Sequence, residues 1–359
     1  MPAELILGWD LGGAHLKVAV VDRRGQVAGV LQLPCPLWLG LDRLDRTIGE
    51  VLATAPAARL HAVTMTGELT DLFRNRAQGV KALIARFGRQ VPISRTRIYA
   101  GAAGFLTPQR ASNCPEIVAS ANWAASAQLV ASQIPDAVLI DIGSTTTDIA
   151  PIRGGAILTQ GWTDAQRLAC EELVYTGVVR TPVIALANRI PFDGEWIAPM
   201  AELFATAADV YRLTGELPEG ADQLPSADNN GKTVRDSARR LARMIGRDLE
   251  SAPLASWKQC ARYLADLQRW RIRQACERVL SRSAVSERAP FVGAGVGRFI
   301  VRRLAAQLGR RYRDFSSLVS AAAGSADWAS GCAPAVAVAL LLQRQGGTRS
   351  TNVGRQVRR

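Results

Sequence analysis

The sequence predicts an α/β protein whose two lobes face one cleft, and three observations predict it. Two strand–turn–strand segments bearing glycine and aspartate lie about 130 residues apart, apolar strand runs alternate with helical stretches, and a third glycine turn comes late in the chain. The first segment is Gly8-Trp9-Asp10-Leu11-Gly12-Gly13-Ala14-His15-Leu16-Lys17, running into apolar residues 18–21. The second is Leu139-Ile140-Asp141-Ile142-Gly143-Ser144-Thr145-Thr146-Thr147-Asp148-Ile149-Ala150. Each reads as a β-rich run ending in an acid, a turn, and further alternating apolars. Glycines let a backbone approach a ligand closely, and successive turn N–H groups form a concave anion site. An acid at the strand end would repel bare phosphate, so the pattern suits a phosphate bridged by Mg²⁺. Two copies imply duplicated lobes addressing one polyphosphate.

After the first hairpin, residues 27–33 read as a third strand, 42–53 as a helix and 61–68 as a buried strand ending in Glu68. A helix around 81–87, a short strand at 97–100 and a helix at about 115–133 complete a first lobe, residues 1–135. The second lobe, 136–345, opens with the second hairpin and carries a helical insertion. Within it a turn and amphipathic helix occupy 163–175, and a loop spans 216–232, broken by Pro218, Gly220, Pro225 and Gly231. Helical periodicity covers 234–249 and 254–280. Strand, glycine turn and helix follow over 288–304, and an Ala- and Leu-rich helix over 334–343. Residues 346–359 read as a disordered basic tail.

At 359 residues and 48% hydrophobic content, the chain can build two cores. No run approaches the roughly 20 apolar residues of a membrane span, and no basic-then-apolar leader is visible, so a cytoplasmic protein without a membrane partner is expected. The six cysteines are scattered with no C-x-x-C, as suits a reducing compartment. The net charge of +13 raises the question of nucleic acid. Yet only four of the 44 basic residues are lysine and no aromatics interleave with basic stretches, so no nucleic-acid partner is expected. The charge suits polyanionic small substrates instead. Two histidines leave little material for a His-rich metal site or a Ser-His-Asp triad.

The ordered trio of two hairpins and the late turn resembles the sugar kinase, Hsp70 and actin superfamily, which implies two ribonuclease-H-like lobes with the ligand between them. The strings Thr64-Met65-Thr66-Gly67-Glu68-Leu69-Thr70-Asp71, Ala121-Asn122-Trp123, Asp141 to Asp148 and Glu172-Leu173-Val174-Tyr175-Thr176-Gly177-Val178 resemble, more narrowly, its hydantoinase/oxoprolinase-like branch linked to tetrahydromethanopterin one-carbon metabolism. Gly293, Gly295 and Gly297 stand where that branch has its late glycine turn, whereas Trp9 stands where relatives tend to carry a small aliphatic residue. The resemblance implies a transferase of methanofuran or methylofuran biosynthesis. It would join an aminomethylfuran diphosphate to the phenol of γ-glutamyl tyramine, or of a tyrosine analogue, and release diphosphate. Small-molecule substrates and Mg²⁺ go with that reading, and a homodimer is compatible with it. An ATP-dependent small-molecule kinase, its late turn holding adenosine, and a non-catalytic actin-like scaffold are the alternatives within the superfamily.

For this chemistry Asp10, Asp141 and Asp148 are the candidate Mg²⁺ ligands, directly or through water, although each aspartate also admits a turn-stabilising role. Gly12, Gly13, His15, Gly143, Ser144, Thr145, Thr146, Gly293 and Gly295 are the candidate diphosphate contacts. Lys17 offers a compact catalytic charge at the edge of the first loop. Glu68 and Asp71 follow a buried strand and are candidate general bases toward the phenol, or partners for the furan's ammonium; helix capping is the plainer role. Lys81, Tyr175 and Arg180 are candidate substrate contacts, a solvated helix face being the plainer reading of Lys81 and helix-end packing that of Tyr175 and Arg180.

Overall fold

The computed structural model describes residues 5–353, with side chains described through residue 345. Alternating apolars start a sheet at once: β1 (Ile6–Leu11), β2 (His15–Val21) and β3 (Gln26–Pro34) run antiparallel, with Asp10 opposite Lys17. Leu44, Ile48 and Val51 form the buried stripe of α1 (Asp42–Thr54), which crosses back to β4 (Leu60–Met65), parallel to β1. The Asn75 side chain caps α2 (Arg76–Phe87), followed by β5 (Thr96–Tyr99), parallel to β4, and β6 (Phe105–Leu106). Then come α3 (Pro108–Asn113), α4 (Pro115–Val118) and α5 (Asn122–Ala131). The single helix predicted at 115–133 is thus broken, and at the break Ser120 takes a φ of +51°.

β7 (Ala137–Ile142) and β8 (Thr147–Arg153) repeat the opening hairpin, with Asp141 opposite Asp148, and β9 (Ala156–Ile157) extends it. The helix predicted at 163–175 is only α6 (Asp164–Ala169), after which the chain becomes β10 (Leu173–Val174) on the edge of β8. The reason is Glu172. Its buried carboxylate accepts hydrogen bonds from the N–H groups of Gln160 and Gly161 and from Arg282, which turns residue 172 inward and out of helical register. The hairpin β11 (Ile190–Phe192) and β12 (Glu195–Ile197) and the helices α7 (Ala207–Thr214), α8 (Val234–Met244) and α9 (Leu254–Arg282) form the insertion. β13 (Phe291–Ala294) lies parallel to β7, then α10 (Arg298–Gln307) leads to β14 (Tyr312–Asp314), parallel to β13.

The two sheets share one plan: an antiparallel hairpin whose first strand is flanked on its other side by two successive parallel strands. The lobe boundaries are less simple than predicted. After β14 the chain leaves the second sheet, β15 (Ser320–Ala321) joins the first sheet beside β3, and, past α11 (Ala326–Gly331), α12 (Ala333–Val353) lies across β1, β2 and β4. A Cβ at Gly8 would collide with the carbonyl oxygen of Ala335, so glycine is what lets this alanine-rich helix settle on β1. α12 also packs against α5, and around that pair a core draws on both sheets, from Ala19 and Val21 to Leu139 and Val292. α12 covers part of the segment predicted as a disordered tail; residues 354–359 lie outside the described residues. Among the described residues, no helix is long and apolar enough to cross a membrane.

Candidate active site

Both hairpin turns border a single cleft of about 470 Å³. Alternation along β1 aims neighbouring residues in opposite directions. Trp9 enters the core of the first lobe, edge-on to Phe87 at 5.1 Å, and donates its Nε1–H to His61 Nδ1 at 3.1 Å, while Asp10 faces the cleft. Lys17 Nζ stands 3.9 Å from Asp10 Oδ2. Burial alone would lower the lysine's pKa, but the field of Asp10, Asp141 and Asp148 more than offsets this and raises it. Burial lifts Asp10 and Asp148 above the usual carboxylate range and pushes Asp141 up to about 7. His15, pushed down to about 3 by burial and then by Lys17 and Arg180, is neutral, and its buried Nε2 has no partner.

The turns themselves divide the work. The Gly12 N–H is bonded to the carbonyls of Asp10 and His15, and the Gly143 N–H to that of Thr146, so these glycines shape the bends. Both of them, together with Gly13, Ser144, Thr145 and Thr146, also border the open space. A second segment braces the second turn: Val178 donates to Gly143 O, and Val179 and Arg180 to Ser144 O. A Cβ at Gly177 would strike the backbone of Ser144 and Thr145.

Among the described residues, no three His, Cys, Asp or Glu side chains are gathered to hold a metal by themselves. Mg²⁺, however, commonly keeps several waters and takes one or two carboxylates plus substrate phosphate oxygens. Asp10, whose buried Oδ1 has no partner, and Asp141 fit that role. Asp148 borders the same cleft, but Arg167 Nη1 donates to its Oδ1 at 2.5 Å, so the predicted metal ligand is also one half of an ion pair. Arg167, which sequence reasoning missed, also donates to Glu172 O at 2.9 Å and stacks its guanidinium 3.8 Å above the Trp123 ring.

Glu68 needs a similar correction. It does not border the cleft; Ser120 and Asp164 do. Ser120 Oγ lies 2.7 Å from Glu68 Oε1 and 3.1 Å from Asp164 Oδ2, and Asp164 is ion-paired with Arg76. One hydroxyl proton cannot serve two carboxylates, so a proton on Glu68 completes the chain. Burial agrees, pushing Glu68 up to about 7. Asp164 escaped notice because it follows Thr163, the N-cap of a capping box, and reads as an ordinary helix start. Asp71 does border the cleft, as do the half-exposed Tyr175 and Arg180, whose guanidinium lies 4.5 Å over the Trp38 ring from the first lobe. Lys81 is exposed on α2 and outside the cleft. Gly293 backs onto the Tyr312 ring and Gly295, with a φ of +77°, sits behind Asp141; neither reaches the open space.

The hydantoinase/oxoprolinase family profile matches residues 59–343. The chain belongs to that family. A relative from Methanocaldococcus jannaschii, (4-{4-[2-(gamma-L-glutamylamino)ethyl]phenoxymethyl}furan-2-yl)methanamine synthase, is 32% identical over 249 residues, covering 68% of this chain and 73% of its own. A synthase of the same name from Methanococcus vannielii is 34% identical over 112 residues, 31% of this chain and half of its own. Nucleotide-free acetone carboxylase shares the fold with a TM-score of 0.55 at 10% identity, over 93% of this chain and 70% of that one.

Proposed function

We propose that this hydantoinase/oxoprolinase-family enzyme is a transferase of methanofuran or methylofuran biosynthesis that condenses an aminomethylfuran diphosphate with a phenol bearing a γ-glutamyl arm, releasing diphosphate. The observation that carries the proposal is the meeting of two matching turns, an embedded lysine and two cleft-bordering aspartates in a chain akin to the furan-methanamine synthases. The electron-rich furan stabilises positive charge at its methylene carbon as the C–O bond to diphosphate breaks. The protein's share is to hold the departing anion, orient the phenol and exclude water. Lys17, Arg180 and the hydroxyls of Ser144, Thr145 and Thr146 border the space for the anion. Asp10 and Asp141 would hold Mg²⁺, which supplies charge neutralisation to the diphosphate when bound.

The phenol proton has two carboxylates to go to, Asp71 and Asp164, both bordering the cleft. Glu68 acts behind Asp164, through Ser120. The test is direct: purified protein with the furan diphosphate, γ-glutamyl tyramine or its tyrosine analogue, and Mg²⁺ should form the aryl ether with equimolar diphosphate. Absence of both products overturns the proposal, and ADP formation from ATP on adding the phenol would establish a kinase instead.

A further inference from the structure

Beside the cleft lies a second cavity of about 270 Å³, and Trp123 borders both. Its walls are unlike those of the cleft. Small residues, including Gly101, Ala121 and Ala124, leave one side smooth; the indoles of Trp123 and Trp162 form another, their centroids 5.5 Å apart and tilted by 42°. Trp162 is 47% exposed, so much of its ring is open to a visitor. Gly101 sits at a φ of +53°, and a Cβ there would already touch the Trp162 ring, so the slot is narrow at that point. One polar feature breaks the apolar lining. Glu116 borders the cavity from an exposed position and makes no ion pair among the described residues.

We infer that this cavity seats an aromatic ring carrying an ammonium group, with the ring against Trp162 and Trp123 and the ammonium near Glu116. Size and flatness suit one ring rather than a fused system. Adjacency to the cleft lets such a ring present a substituent to the anion-holding turns. The far face of Trp123 carries Arg167, and Arg167 holds Asp148 in the second hairpin, so a filled slot presses on the same wall that braces the turn. In the proposed reaction one ring has this chemistry, the aminomethylfuran; the acceptor's tyramine nitrogen is a γ-glutamyl amide and carries no charge. The inference rests on the transferase reading for which ring arrives, but not for the existence of the slot.

The experiment is a binding measurement on the full-length protein without turnover. Furfurylamine and tyramine are titrated separately, by saturation-transfer NMR and calorimetry, with and without Mg²⁺ and pyrophosphate. At least one should saturate and should not be displaced by pyrophosphate; saturation by furfurylamine identifies the donor ring. Ala124→Phe, filling the slot from the buried side, and Ala102→Trp, filling it from its exposed rim, should each weaken binding at least about tenfold. Glu116→Gln should weaken the amines by about tenfold while leaving the uncharged 2-methylfuran or p-cresol unchanged. Ala102→Trp guards against misfolding, because residue 102 is exposed. The inference is overturned if neither amine saturates, if pyrophosphate displaces the bound amine, or if both filling variants bind as well as the parent. Ring binding without ether formation would overturn the transferase reading and keep the slot; unimpaired ether formation by Ala102→Trp would do the reverse.

Discussion

The first and second hairpins place an acid at the same strand position and then treat its neighbour oppositely. Across the first turn Asp10 faces Lys17; across the second, Asp141 faces Asp148. The first lobe carries its cation within the hairpin. The second places an acid at the matching point and brings a cation from α6, Arg167, to neutralise it. Duplicated topology therefore does not mean duplicated chemistry. One turn sets an ammonium at the edge of the space for an incoming anion, whereas the other commits its guanidinium to holding the wall.

The comparison is broken most severely at Arg167. Arg167→Met leaves Asp148 buried without its partner, and a loss of about 3–5 kcal/mol in urea denaturation is expected; a loss below about 1 kcal/mol would mean that the second lobe does not need the imported cation. Asp141→Asn should keep the fold and lower Mg²⁺-dependent ether formation by about 10²–10³-fold. Asp148→Asn, directly opposite, should instead act chiefly on stability, through the stranded Arg167. Equal activity losses in the two variants would erase the distinction between them.

A smaller effect is expected at Glu68. Its folded-state pKa is raised to about 7 from an ordinary 4.5, so its protonated form is favoured in the folded protein. The associated stability is fully present below about pH 4.5 and is lost as pH rises through 7, up to about 3 kcal/mol in all. Glu68→Gln should flatten that part of the stability profile between pH 5 and 8. An unchanged slope would mean that Glu68 is already ionised beside Ser120. Smallest of all is Lys81→Ala, where stability should move by less than about 0.5 kcal/mol and turnover should not change.

Much of the frame was legible in the residues because hairpins announce themselves locally: alternating apolars, an acid at the strand end, a glycine and hydroxyl turn. α1 and the strands around residues 61 and 97 followed from periodicity in the same way. What escaped was long-range. Arg167 is one arginine in a chain crowded with them, and only folding shows that it lies under Trp123 and against Asp148. Glu68 ends a buried strand as a cleft residue should, but a positive-φ Ser120 from a broken helix comes between it and the open space. The late glycines looked like a third phosphate turn, whereas Gly295 gives room to Asp141. Composition marked the chain end as basic without revealing which sheet the preceding helix would complete.

That helix has a consequence for how the molecule is made. The strand Ile6–Leu11 is covered by a helix that begins only at Ala333 and meets it where Gly8 leaves room. The first sheet stays unroofed until this helix has been translated, and a chain stopped short of residue 333 would expose the apolar face of those strands. Vectorial synthesis thus ties completion of the first sheet to a helix made long after its strands.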